Sequence, residues 1–122
     1  MEEKLISFET AGLAKEKGFD EPCRWHYTQN SPKREPQLFS SEFEPESLNT
    51  WNGRYSTPTQ SLLQKWIRET HNLDIIVSSN LIGYGYLIYR RYPPKNILNK
   101  TLFQYYEEAL EAGLLEALKL LP

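Results

Sequence analysis

The sequence predicts a small α+β fold: a mostly antiparallel sheet of three or four strands with helices on one face, in the order helix, strand, long loop, helix, strand, strand, helix. Three observations carry this. Apolar side chains from Tyr106 to Leu121 repeat at three and four residues, the period of an amphipathic helix. Two strand-like runs, Leu73–Ser78 and Tyr84–Arg91, are joined by a short Ser-, Asn- and Gly-containing connection, as in a hairpin. A chain of 122 residues with 39% hydrophobic side chains buries enough surface to fold as one domain over residues 1–122 without disulfide or metal staples.

Each element follows from local chemistry. A first helix over Phe8–Lys17 is expected, with Ser7 accepting a hydrogen bond from an unpaired first-turn amide and Gly18 closing the last turn in the left-handed conformation. Phe19 then folds back on Leu13 and Ala14. After Pro22, the run Cys23–Thr28 is short and aromatic, as strands are. Residues 29–56 keep no period and are broken by Pro32, Pro36 and Pro45, so they read as a long irregular loop. Leu38, Phe39, Phe43, Leu48, Trp51 and Tyr55 are too apolar for a solvated tail, and part of the loop is expected to pack, with a short strand near Leu38–Phe43; Asn52-Gly53 marks a tight turn.

A second helix is expected to start with Thr57 as cap, Pro58 in the first helical position and Gln60 bonding back to the cap. Leu62, Leu63, Trp66 and Ile67 form its apolar stripe, and Asn72 ends it after His71. The hairpin follows and ends at Pro93-Pro94. In the last helix Glu107, Glu108 and Glu111 sit near the positive end of the helix dipole, where they read as a solvated face. Gly113 falls on the buried stripe, which predicts a close approach of helix backbone to sheet, because glycine otherwise costs a helix about 1 kcal/mol.

Three blocks, Ser7–Ala11 with Ala14–Asp20, Thr57–Trp66, and Tyr106–Leu114, together resemble a family of small uncharacterised proteins carried by prophages and other mobile elements of anaerobic gut bacteria. They cover somewhat under half of the chain, in the family's order. The resemblance implies a cytoplasmic accessory protein and brings no activity, cofactor or catalytic residue with it.

Catalytic chemistry finds little support. Cys23 and His26 are the one thiol and imidazole close in sequence, but three residues apart on a strand they point to opposite faces, so Cys23 reads as inert and partly buried. His71 reads as a helix C-terminal histidine, and no ligand spacing indicates a metal. Gly83 and Gly85 lack the third glycine and the helix start of a phosphate loop, so no cofactor is expected. The single cysteine excludes an internal disulfide, Met1–Ile6 lack a secretion signal, and no apolar run approaches the length of a membrane span. A cytoplasmic location without membrane contact is therefore expected.

Charge is uneven. Residues 1–50 hold 6 basic and 10 acidic side chains, residues 51–104 hold 7 and 2, and residues 105–122 hold 1 and 4. Within the basic centre, Gly83–Tyr89 resembles the aromatic strand of RNA-recognition motifs, with Ile82 standing at the position that family makes basic. The resemblance implies that Tyr84 and Tyr86 would stack on bases. Alternating aromatics also arise where a strand packs under a helix, and the structural reading outweighs the nucleic-acid one.

The sequence thus predicts a non-enzymatic binding protein that docks another macromolecule, a protein first and single-stranded nucleic acid as the alternative. Its expected surface combines Tyr84, Tyr86 and Arg90 of the hairpin with Trp51 of the loop, since Tyr, Trp and Arg anchor interfaces. Self-association is the further option, with Leu115 and Leu120 off the main stripe of the last helix as an apolar edge.

Overall fold

The computed structural model describes residues 4–29, 31, 34–40 and 53–122. Over these the chain forms α1 (Phe8–Glu16), β1 (Trp25–Thr28), β2 (Gln37–Ser40), β3 (Arg54–Ser56), α2 (Gln60–His71), β4 (Leu73–Ser79), β5 (Tyr84–Arg90), β6 (Lys95–Phe103) and α3 (Tyr106–Lys119). The α+β class holds. The strands divide into two antiparallel sheets, in the orders β2-β1-β3 and β4-β5-β6.

The helix ends show how local chemistry is satisfied. Ser7 Oγ accepts from Thr10 N at 3.2 Å, and Gly18 adopts φ +91° so that Phe19 N can reach Ala14 O at 3.0 Å. Phe19 then turns inward, edge-on to Trp66 with ring centroids 5.3 Å apart. The start of α2 corrects the expected cap. Thr59, not Thr57, accepts from Leu62 N, at 3.2 Å. Thr57 is buried, with its hydroxyl donating to Tyr55 O at 3.0 Å and accepting from Tyr27 N at 3.1 Å. It serves the first sheet and is not free to cap the helix. Asn72 closes α2 at φ 61°, as expected.

Part of the expected irregular loop is β2 and β3, both antiparallel to β1. Phe43, Leu48, Trp51 and Asn52 lie outside the described residues. Pro93-Pro94 ends β5 but not the ladder: the turn after it leads into β6. Asn72 Nδ2 donates to Tyr92 O at 2.9 Å and Arg90 Nε to Pro93 O at 3.0 Å, which pins that turn. The register of β5 with β6 shifts twice, between Tyr84 and Tyr86 and between Ile88 and Tyr89. On the other border of this sheet, Gln64 Nε2 donates to Ile75 O at 2.6 Å and satisfies an outward-facing carbonyl of β4.

The long last helix sits between the layers. α3 lies across β4 and β5 on one side and against α1 on the other, and α1 in turn covers β3. Phe8 joins α1 to the first sheet through edge-on contacts with Tyr27 and Tyr55 at 5.4 and 5.0 Å. Gly113 marks the close approach that the sequence predicts: a β-carbon there would stand 2.7 Å from Ile75 Cγ2 and 3.1 Å from Tyr86 Cγ. The core it closes includes Ile75, Ile88, Leu114 and Leu118, all 2% exposed or less.

Glu111 is not solvated in the way its position in the helix suggests. One carboxylate oxygen accepts from Ser7 N at 3.1 Å and from the Thr10 hydroxyl, and the other accepts from Gln60 Nε2 at 3.1 Å. Gln60 Nε2 also donates to Glu107 O at 2.9 Å. At the far end Lys17 Nζ donates to Leu121 O at 2.7 Å. α1 is thereby fixed to α3 at both ends, and the two helices run in the same direction.

Two stability outcomes are expected. Glu111→Ala removes the acceptor shared by the Ser7 amide and the Thr10 hydroxyl and one of the two acceptors of the Gln60 amide, and should cost about 1–3 kcal/mol in urea unfolding, with Glu111→Gln losing less. Gly113→Ala should destabilise by about 1–2 kcal/mol in the same assay, because overpacking against Ile75 outweighs the gain of about 1 kcal/mol in helix propensity.

Candidate interaction surface

Of the residues expected to form a docking surface, the three on β5 share one face of the strand but are not exposed together. Even-numbered positions of β5 share the face turned toward the helices, because successive strand side chains alternate. Tyr86 is therefore 4% exposed beneath α3. Its phenol is pushed above its usual range by burial and by the charge of Glu116. Tyr84 is half-buried, its ring 6.1 Å from that of Tyr106 in an edge-on contact. Arg90 stands at the other end of the strand, half-buried and bonded to the Pro93 carbonyl. Trp51 lies outside the described residues. The pair of rings that a base would need is thus not on offer, since Tyr86 is enclosed.

A different surface is exposed at the end of the sheet where Tyr84 stands. The connection between β4 and β5 is a built turn. Asn80 N donates to Gly83 O at 2.8 Å, and Asn80 Oδ1 accepts from Ile82 N at 2.8 Å and Gly83 N at 3.0 Å. This side chain fixes the backbone as Asn does in tight turns, and the turn presents Leu81 and Ile82 at 105% and 78% exposure. Gly83 packs directly on the Phe103 carbonyl, where any β-carbon would stand 2.4 Å from the oxygen. The end of β6 and the start of α3 therefore adjoin the turn and add Leu102 at 70%, Tyr105 at 59% and Tyr106 at 44% exposure.

Leu102 is held at φ +77°, a conformation that a leucine adopts only under strain. It lies in the irregular stretch of β6 between the Tyr86–Lys100 and Tyr84–Phe103 pairs. Leu102 thus holds an apolar side chain in solvent on a strained backbone, at the same end of the sheet as the exposed Leu81 and Ile82. Large exposed apolar patches mark interaction sites. In the sequence, the signal for this surface is the pair of adjacent large aliphatics, Leu81 and Ile82, in a hairpin connection.

The candidate chemical groups are engaged elsewhere. Cys23 is buried, its thiol donates to Glu21 O at 3.4 Å, and burial with the neighbouring Glu21 charge pushes it up to about 12. His26 is fully buried and stacked on Phe39 at 5.5 Å. His71 lies edge-on to Trp66 at 5.0 Å. Among the described residues no group of three His, Cys, Asp or Glu side chains is placed to hold a metal, and no helix is long and apolar enough to cross a membrane. A groove of about 540 Å³ lies between the starts of α1 and α3, lined by Ser7, Glu9, Glu107 and Glu111 among others. Its most enclosed carboxylate, Glu111, already has its donors. Comparison with protein-family models, curated proteins and solved structures finds no match to this chain.

The thiol gives a direct check on the packing. A thiol that ionises near 12 is almost wholly protonated at pH 8, whereas a free cysteine there is partly thiolate. Iodoacetamide should label Cys23 in the folded protein on the order of a thousandfold more slowly than in denaturant. Comparable rates in the two conditions would mean that Cys23 is accessible and ionised.

Proposed function

We propose that this protein is a non-enzymatic accessory protein, of the mobile-element kind that its sequence resembles, which acts in the cytoplasm by docking another protein through the apolar end of the second sheet. The observation that carries this reading is the ordered turn that holds Leu81 and Ile82 exposed at the same end of the sheet as Leu102, Tyr105 and Tyr106. Burying such side chains is worth roughly 1.5–3 kcal/mol each, so a few of them anchor an interface. Single-stranded nucleic acid is the second reading. It is favoured by the segment 75–106, which holds Arg90, Arg91, Lys95 and Lys100 and no acidic side chain.

The test places a photo-crosslinking amino acid at position 81 in the full chain. Capture of a discrete protein, lost when Leu102 and Tyr105 are both changed to Ser, supports docking at this end. Diffuse or absent crosslinking, or capture unaffected by those changes, would overturn it. The Leu81→Ser/Ile82→Ser variant should melt within a few degrees of the parent, because exposed positions contribute little to stability. Leu102→Gly should gain about 1 kcal/mol by relieving the positive φ while weakening capture. Affinity for random oligonucleotides that falls steeply with salt would favour the second reading, and no binding at low salt would remove it.

A further inference from the structure

We infer that the occupant of this apolar end is a second copy of the same chain, placed by a two-fold axis. The inference rests on the docking reading above and names its partner. Its basis is where the patch falls in the charge distribution. The patch lies on the seam between an acid-free basic ribbon and the acidic start of α3.

On the ribbon side stands Lys100 of β6, opposite Tyr86 in the ladder and exposed, with Lys95 further along the same strand. On the helix side stand Glu107 and Glu108, in the first turn of α3 directly after Tyr106, both exposed. None of these four side chains has an ion pair among the described residues. Lys4 shares the groove with Glu107 and Glu108 without pairing to either.

A surface with an apolar middle, a basic flank and an acidic flank is self-complementary under a two-fold operation. If the axis lies in the contact plane between the flanks, rotation brings the acidic flank of one copy opposite the basic flank of the other, while the apolar middles meet. Isologous contacts of this kind are the commonest in homo-oligomers, and opposed charges at the rim set register and exclude wrong partners. A generic acidic partner would satisfy Lys100 and repel Glu107 and Glu108; a basic one would do the reverse. A copy of this chain meets both at once.

The rigid turn suits the role. Leu81 and Ile82 are preordered by Asn80 Oδ1, so little conformational freedom remains to be lost on association. Tyr105 and Tyr106 add rings whose hydroxyls can stay wet at the margin of a contact.

Sedimentation velocity across a wide concentration range tests this on the intact chain. The parent should show a concentration-dependent monomer–dimer equilibrium, and Leu81→Asp should be monomeric with an unchanged circular dichroism spectrum. Lys100→Glu alone, and Glu107→Lys/Glu108→Lys alone, should each weaken the dimer by about tenfold, and the combined reversal should restore it, because only neighbouring groups show such non-additive coupling. A parent that stays monomeric at every concentration, a dimer indifferent to Leu81→Asp, or a combined reversal as weak as its parts would overturn the inference. If the parent is monomeric yet position 81 still crosslinks a different protein, the second copy is refuted and docking stands. If both measurements are blank, both readings fall.

Discussion

One carboxylate organises the assembly of this protein. Glu111, a third of the way along α3, receives the Ser7 amide and the Thr10 hydroxyl of α1 together with the side chain of Gln60, the first residue of α2. Three helices are thereby set in register around a single side chain. A negative charge at the N-terminal end of α1 also has the sign that the helix dipole favours. With α1 fixed, Phe8 reaches Tyr27 and Tyr55 and carries the first sheet with it. With α3 fixed, Gly113 brings its backbone onto Ile75 and Tyr86 and closes the second sheet. The two sheets share no strand pairing among the described residues, so the helical layer between them transmits their arrangement.

What could be read in the sequence was what depends on near neighbours. The stripe of α3, its buried glycine, the capping of α1 by Ser7 and the Asn72 end of α2 are each decided within a few residues, and each was legible. The misplaced start of α2 shows the limit. Thr57 and Thr59 are equivalent to a local rule, and the choice between them is made by Tyr27, whose amide takes the Thr57 hydroxyl across 30 residues of chain. β6 escaped for a related reason. Its pairing slips twice, so the period of two that betrays a strand is broken, and Pro93-Pro94 stands where a ladder ordinarily ends. Glu111 was invisible because its α1 partners lie more than a hundred residues away.

Exposure along β5 was not legible in the sequence. Alternation along β5 correctly put Tyr84, Tyr86 and Arg90 on one face, but which face is covered depends on α3, and α3 covers that one. The aromatic ribbon is therefore mostly a core feature, and its contribution to the surface is confined to the end where Tyr84 meets Tyr106. There Leu81, Ile82, Leu102, Tyr105 and Tyr106, which the core leaves exposed, stand where the basic central portion of the chain gives way to the acidic last one. The helix-facing side of this sheet seals the interior, while its most exposed aliphatic side chains, Leu81, Ile82 and Leu102, stand at one end.

The borders of that sheet bear on how the molecule behaves in a crowded solution. An open strand border is a template on which further strands add without limit, and proteins blunt it with bulges, lysines or covering groups. Here one border has its Ile75 carbonyl taken by Gln64, and the other is kinked twice and carries Lys95 and Lys100. Lateral growth into ribbons or fibrils is thereby disfavoured from both sides.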